Sequence, residues 1–525
     1  MSTVPWLTVL GVVPLGGAAV IGLLPRRREL LAKQVALVTS LVVLVGTIAM
    51  CSAFDPNGGR FQFVQSHDWI RAFGVKYAVG VDGIALVLIA LIAVLVPVVL
   101  LASWDDADAE LPLEGSDAPV ARRKSVKTFF ALLLVLETMM IGVFAATDVF
   151  LFYVFFESML IPMYFLIGSY GGPRRSYAAV KFLVYSLVGG LLMLAAVIGL
   201  YVVSASQGPG TFDFTALSKL DISHPVQLAL FSGFFVAFAI KAPLFPFHTW
   251  LPDAGAEAPV GSAVLLVGVL DKVGTFGFLR YCLPLFPYAA RTLAPVVITL
   301  SVIGILYGAL LAMGQKDMKR LVSYTSVAHF GFIGMGCFAF TTQAGTGAVL
   351  YMVNHGLSTG ALFMVIGFLV VRGRSRLVSD YSGIARVAPV LAGLFFVSGL
   401  SSLALPGLST FVSEFLVLVG TFTRYKVAAV FATIGIVLAA LYILLVYQRT
   451  MQGALSSAHE RMKDLRFREV AALAPLIALM LVLGFYPKPL TDVITPAVTF
   501  TMQDVGAHDP APTQAQAHSY AEQKR

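Results

Sequence analysis

Charge is scarce in this chain: of its 525 residues, only 12% are Asp, Glu, Lys or Arg. Cysteine is scarcer still, with Cys51, Cys282 and Cys337 scattered and no CxxC spacing among them. That usage offers neither an iron–sulfur cluster nor a disulfide framework. A Walker phosphate loop and a Gly-rich dinucleotide turn are also missing, so nucleotide hydrolysis and hydride chemistry have no seat in the sequence. No charged segment precedes the first apolar stretch, which therefore reads as a retained span rather than a cleaved signal.

What the chain has instead is hydrocarbon. It is 58% apolar with a mean hydropathy of +0.86, far from the composition of soluble domains. Crossing a bilayer core of about 30 Å takes about 20 helical residues. Fourteen stretches meet or approach that length: 4–24, 34–53, 81–103, 127–147, 149–169, 177–204, 226–247, 261–283, 293–313, 320–340, 345–371, 388–422, 427–447 and 469–487. The expected fold is an all-α polytopic membrane protein. Most of the 36 Lys and Arg residues fall in or beside the connections after odd-numbered spans, including Arg26-Arg27-Arg28, Arg122-Arg123-Lys124, Arg174-Arg175, Lys316 to Arg320, Arg372 to Arg386 and Arg449 to Arg468. Cytoplasmic connections carry such an excess, so both termini are expected outside the cytoplasm. The net charge of +8 is then topological and calls for no nucleic acid.

Spans 1–3 form an expected N-terminal segment (1–125) with few internal charges, closed by the polar loop Asp105 to Asp117. Ten spans follow, which divide as 126–285 (spans 4–8) and 286–448 (spans 9–13). An odd-sized repeat must be inverted relative to its neighbour. The fourth span of each half is interrupted, by Pro243 and Pro246 in the first and by Pro406-Gly407 in the second. Residues 449–525 hold the last span and a polar tail, whose Ala/Gln-rich end from Met502 is expected to be disordered.

Ionisable residues lie inside this hydrocarbon. Lys241 stands in Phe-Ala-Ile-Lys-Ala-Pro-Leu-Phe-Pro-Phe-His248, where a charge costs about 2.5–3.5 kcal/mol and the prolines break the backbone ladder. Glu137 and Glu157 lie mid-span, Lys272 follows Asp271 in Val-Leu-Asp-Lys-Val-Gly, and His329, His355 and Glu414 complete the series. Neighbouring residues point about 100° apart on a helix, so Asp271 and Lys272 need not pair. Lys181, near the start of its span, can snorkel. Each of these groups has a structural reading, as a helix-packing hydrogen bonder or a fixed counter-ion. Together they make the row of titratable groups that proton hopping across hydrocarbon requires. No Cys or carboxylate lies at metal-ligand spacing around either histidine.

The runs Phe156-Glu157-Ser-Met-Leu-Ile-Pro-Met-Tyr164, Ala239-Ile-Lys241-Ala-Pro-Leu-Phe-Pro-Phe-His-Thr-Trp-Leu-Pro-Asp-Ala-Gly-Ala-Glu-Ala-Pro259 and Arg320-Leu-Val-Ser-Tyr-Thr-Ser-Val-Ala-His329 closely resemble the antiporter-like subunits of respiratory complex I, NADH:quinone oxidoreductase. The resemblance covers nearly the whole chain. Glu414, where the L and N branches are expected to carry lysine, and the lack of an added long amphipathic helix with its anchor span, favour the M branch. The resemblance implies a proton-translocating subunit of a bacterial inner membrane, flanked by L- and N-type subunits. NADH, FMN, iron–sulfur clusters and quinone are expected in other subunits, with none in this chain. It also implies roles: Glu157 and Lys241 as an input pair, Lys272 as central relay, His329 and His355 as connecting groups, Glu414 as output group and Glu137 as a second carboxylate. Multisubunit sodium/proton antiporters and membrane-bound hydrogenases share these motifs and supply the alternative.

Overall fold

A computed structural model describes residues 4–25, 27–107 and 125–510. Arg26, the cluster Arg122-Arg123-Lys124 and the tail beyond 510 lie outside the described residues. Spans α1 (Trp6–Leu23), α2 (Glu29–Ser52) and α3 (Gly83–Ala102) lead into α4 (Val126–Ala145), α5 (Val149–Tyr170), α6 (Arg175–Gln207), α7 (His224–Lys241) and α8 (Val260–Leu285). The second half comprises α9 (Pro287–Met313), α10 (Met318–Phe338), α11 (Thr342–Gly373), a split α12 (Pro389–Ser402 and Ser409–Phe422), and α13 (Lys426–Met451), followed by α14 (Phe467–Phe485). Among the described residues thirteen helices are long and apolar enough to cross a membrane, and the two short halves of α12 lie within the remaining expected span, 388–422.

The two expected interruptions are present. Helix α7 stops at Lys241 because Pro243 and Pro246 cannot donate to the ladder, and the orphaned carbonyl of Ile240 accepts the indole N–H of Trp250 at 2.8 Å. A short helix, Leu251–Glu257, then returns the chain to α8. In α12 the break at 403–408 contains Gly407 at φ +93°, a backbone conformation that side chains disfavour. The Asn354 amide of α11 braces the start of the second half, donating to the Ser409 carbonyl at 2.7 Å and to Ser413 Oγ at 3.2 Å. Helix α8, the last span of the first expected repeat, is buried throughout 261–285 and contains two π-turns, Leu266–Leu270 and Phe278–Cys282.

Two features depart from the sequence expectation. An antiparallel hairpin, β1 (Gln62–Ile70) and β2 (Val75–Val81), covers the connection between α2 and α3. It bridges to the α4–α5 connection through Val79 and Ala146. The second is α15 (Lys488–Val505), an amphipathic helix after the last span, so Met502 to Val505 are helical rather than disordered. Its buried face, Ile494, Ala497, Val498, Thr501, Met502 and Val505, packs on α3 and α11, and Asp504 pairs with Arg60 at 2.6 Å.

The opposite face carries the basic connections. Lys181 and Arg320 meet Asp253 at 2.7 and 2.5 Å, Arg376 and Arg174 meet Glu257 at 3.2 and 3.9 Å, and Arg376 also reaches Asp317 at 3.4 Å. Burial favours a neutral Asp253, but the hydrogen bonds from Lys181 and Arg320 outweigh it and hold the carboxyl below the usual carboxylate range. Lys181 is therefore anchored rather than snorkelling. The short helix between α7 and α8 is thus tied to helices α6 and α10 and to the α5–α6 and α11–α12 connections.

Candidate functional site

Lys241 is the last residue of α7 and is 1% exposed. Its Nζ has no protein group within hydrogen-bonding reach and lies 5.0 Å from the ring centre of Phe156 and 5.5 Å from that of Phe182, whose π-faces favour a cation. Glu157 on α5 feels the charge of Lys241, but the two side chains share no hydrogen bond. The expected pair is therefore near rather than touching. The carboxylate is pressed against α6 at Gly190, where a Cβ would stand 1.6 Å from Oε1.

Lys272, in the middle of α8, has the opposite surroundings. Its Nζ contacts Asp271 Oδ1 at 3.0 Å, His355 Nδ1 at 2.6 Å, the Val267 carbonyl and, at 5.1 Å, the face of Phe330. The adjacent residues do pair, contrary to their 100° offset. The π-turn over Leu266–Leu270 changes the local winding, and the long lysine stem curls back along it to meet both Val267 and Asp271. Both side chains are completely buried, so removing either one leaves an uncompensated charge.

From Lys272 the polar groups continue along α11 and α10. The His355 and His329 rings stand edge to face with centres 5.2 Å apart, and His355 Nε2 lies 3.2 Å from Ser326 Oγ. His329 reaches the main chain of Ser402 at the α12 break and lies 5.7 Å, centre to centre, from Tyr351. Glu414, in the second half of α12, lies within electrostatic reach of the buried hydroxyls of Tyr351 and Tyr442. The structure thus brings Lys272, His355, His329 and Glu414 into one axis running from α8 to the break in α12.

Glu137 stands apart, fully buried on α4 with neither carboxyl oxygen hydrogen-bonded. Sequence reasoning missed a second buried pair, Arg280 to Asp82 at 2.7 Å, with the guanidinium 4.8 and 4.9 Å from the rings of Phe61 and Phe276. Arg280 lies near the end of its span, and the π-turn over Phe278–Cys282 turns it inward toward the N-cap of α3. Among the described residues no cluster of His, Cys, Asp or Glu could hold a metal ion.

Residues 146–441 match the family described as NADH:quinone oxidoreductase/Mrp antiporter, TM. NADH-quinone oxidoreductase subunit M of Mycobacterium tuberculosis is 53% identical over 98% of this chain and 97% of its own length. Among solved structures, a chain of respiratory complex I from Thermus thermophilus superposes with a TM-score of 0.85 at 30% identity, covering 95% of this chain and all of that one. A chain of the Mrp complex from Dietzia superposes at 0.80 with 21% identity, covering 96% of this chain and 100% of that one, and shows the shared fold alone.

Proposed function

This chain belongs to the NADH:quinone oxidoreductase/Mrp antiporter family, as an M-type, proton-translocating membrane-arm subunit of NADH:quinone oxidoreductase, and we propose that it moves protons along the axis Glu157–Lys241–Lys272–His355–His329–Glu414. Whole-length identity to the M-type relative carries the assignment over the antiporter and hydrogenase alternative. The observation that carries the path is the contact series from Lys272 through two histidines to the α12 break, set between two interrupted helices.

Broken helices expose polar backbone at depth, which permits hydration where intact helices would not. A carboxylate approaching Lys241 stabilises its charge, and one receding destabilises it. A charge or conformational signal from a neighbouring subunit opens the Glu157–Lys241 spacing, and the lysine then releases its proton toward Lys272 and the histidines. Glu414 passes the proton to the hairpin face before Glu157 returns. Glu137 is a second buried carboxylate set apart from this route. On this reading the basic face is cytoplasmic, both termini lie on the opposite side of the bacterial inner membrane, and residues 126–285 and 286–448 are inverted repeats. L- and N-type subunits flank the chain. NADH, FMN, iron–sulfur clusters and quinone are bound by other subunits.

The test is Lys241→Ala in membranes where assembly of the complex is verified. NADH:quinone activity and proton pumping are expected to fall together. Full pumping stoichiometry in the assembled variant would overturn the path.

A further inference from the structure

The axis leaves Lys272 completely buried, with an outlet toward the hairpin face but no direct route from the basic face. Helix α10 carries a stripe that supplies one. Lys319, Ser323 and Ser326 recur at four- and three-residue spacing, which places them on one helix face, and they are 6%, 0% and 0% exposed. At the basic face Lys319 Nζ donates to the Ala258 carbonyl at 2.6 Å, within reach of the charges of Asp106, Glu257, Asp317 and Arg376. One turn deeper, Ser323 Oγ points at the short helix Leu251–Glu257, where a Cβ on Gly255 would stand 2.5 Å from it, so only glycine leaves that hydroxyl room. At the inner end Ser326 Oγ lies 3.2 Å from His355 Nε2, and His355 Nδ1 lies 2.6 Å from Lys272 Nζ.

We propose that this face of α10 is a second route, besides transfer from Lys241, by which Lys272 is loaded with protons from the basic face, with Ser323 and Ser326 as hydroxyl relays and Lys319 at the mouth. The proposal rests on Lys272 being a proton carrier. Rises of about 6 and 4.5 Å between successive groups are too long for direct contact, so one water bridges each step. At the last step Ser326 gives its hydroxyl proton to His355 Nε2 and takes a replacement from the water behind it. His355 gives up its Nδ1 proton to the neutral amine of Lys272. One O–H and one N–H bond break, two N–H bonds form at Nε2 and Nζ, and the imidazole stays neutral with its proton on the other nitrogen. The tautomer must invert before a second proton follows, which makes the wire deliver once per cycle.

A simpler account exists, because each serine also bonds its own helix, Ser323 to the Lys319 carbonyl at 2.9 Å and Ser326 to the Val322 carbonyl at 3.3 Å. That account leaves unexplained why one hydroxyl faces the glycine of a neighbouring helix and the other the imidazole on Lys272.

The experiment compares proton pumping and coupled NADH oxidation in membranes carrying the assembled complex with Ser326→Ala, Ser326→Thr, the double variant Ser323→Ala/Ser326→Ala, or Lys272→Met. Ser326→Ala is expected to slow both rates at least fivefold and the double variant further, whereas Ser326→Thr, which keeps the hydroxyl, recovers more than half of the wild-type rate. Equal slowing by Ala and Thr would assign the serine a packing role and overturn the proposal. Wild-type rates in both alanine variants with Lys272→Met inactive would overturn the route while leaving the carrier in place. Wild-type rates in Lys272→Met would instead remove the carrier itself.

Discussion

Gly190→Ala tests the Glu157–Lys241 switch without altering a charge. The added Cβ would stand 1.6 Å from Glu157 Oε1, and ordinary contact needs about twice that, so the carboxylate must move by roughly 1.6 Å. The obstructing atom is the end of a flexible side chain, and a rotamer adjustment costs about 0.5–1.5 kcal/mol, so the chain is expected to assemble. At an effective dielectric of about 20, a charge pair taken at a separation of about 5 Å attracts by about 3 kcal/mol, and a change of about 1.6 Å alters that by roughly 0.8 kcal/mol. This corresponds to roughly a fourfold change in the protonation equilibrium of the pair. Glu157→Gln removes the whole attraction and is expected to act over a hundredfold. The assay is ΔpH formation by inverted membrane vesicles oxidising NADH, normalised to assembled complex. Gly190→Ala is expected to fall between wild type and Glu157→Gln. Wild-type pumping in Gly190→Ala, with Glu157 shown to have moved, would refute the claim that its position relative to Lys241 controls the proton.

Arg280→Met leaves Asp82 buried without its cation, and about 3–5 kcal/mol of destabilisation is expected, read as a lower melting temperature in detergent; Asp82→Asn in the same chain should recover most of it. Burial pushes the Asp106 carboxyl up to about 6, so its ionised form opposes folding above that pH, by at most about 3 kcal/mol, and contributes nothing below the unfolded value near 4. Asp106→Asn is expected to raise the melting temperature at pH 8 and leave it unchanged at pH 4; an equal gain at both would show that ionisation is not the cause.

The interruptions of α7 and α12 were legible because proline removes a backbone donor wherever it stands, and that chemistry depends on no neighbour. The ionisable residues were legible for the same reason, since charge in an apolar run is visible in one dimension. Their partners were not. Lys181 and Asp253 are 72 positions apart and meet only because α7 breaks, and the Asp271–Lys272 pair depends on a π-turn that leaves no composition signal. The hairpin lies in a polar connection whose β1 strand is largely exposed, so it lacks the alternation that marks a half-buried strand. Helix α15 did carry a signal: 494, 497, 498, 501, 502 and 505 follow helical spacing, masked by threonines and by Pro496.

The two central lysines differ in a way that bears on how such a path is driven. Lys272 is held by a carboxylate, an imidazole, a carbonyl and an aromatic face, whereas Lys241 has aromatic faces and no hydrogen bond. A charge with several fixed partners in a low dielectric changes state only when several contacts change together. One stabilised mainly by a carboxylate at a distance responds to a single displacement. Lys241 also ends α7, where the carbonyl end of the helix dipole favours a cation without any side-chain partner. That background term offsets part of the burial cost, so the carboxylate need supply only the difference between holding and releasing. On the proposed path the signal therefore acts at Lys241, and Lys272 stores what it releases.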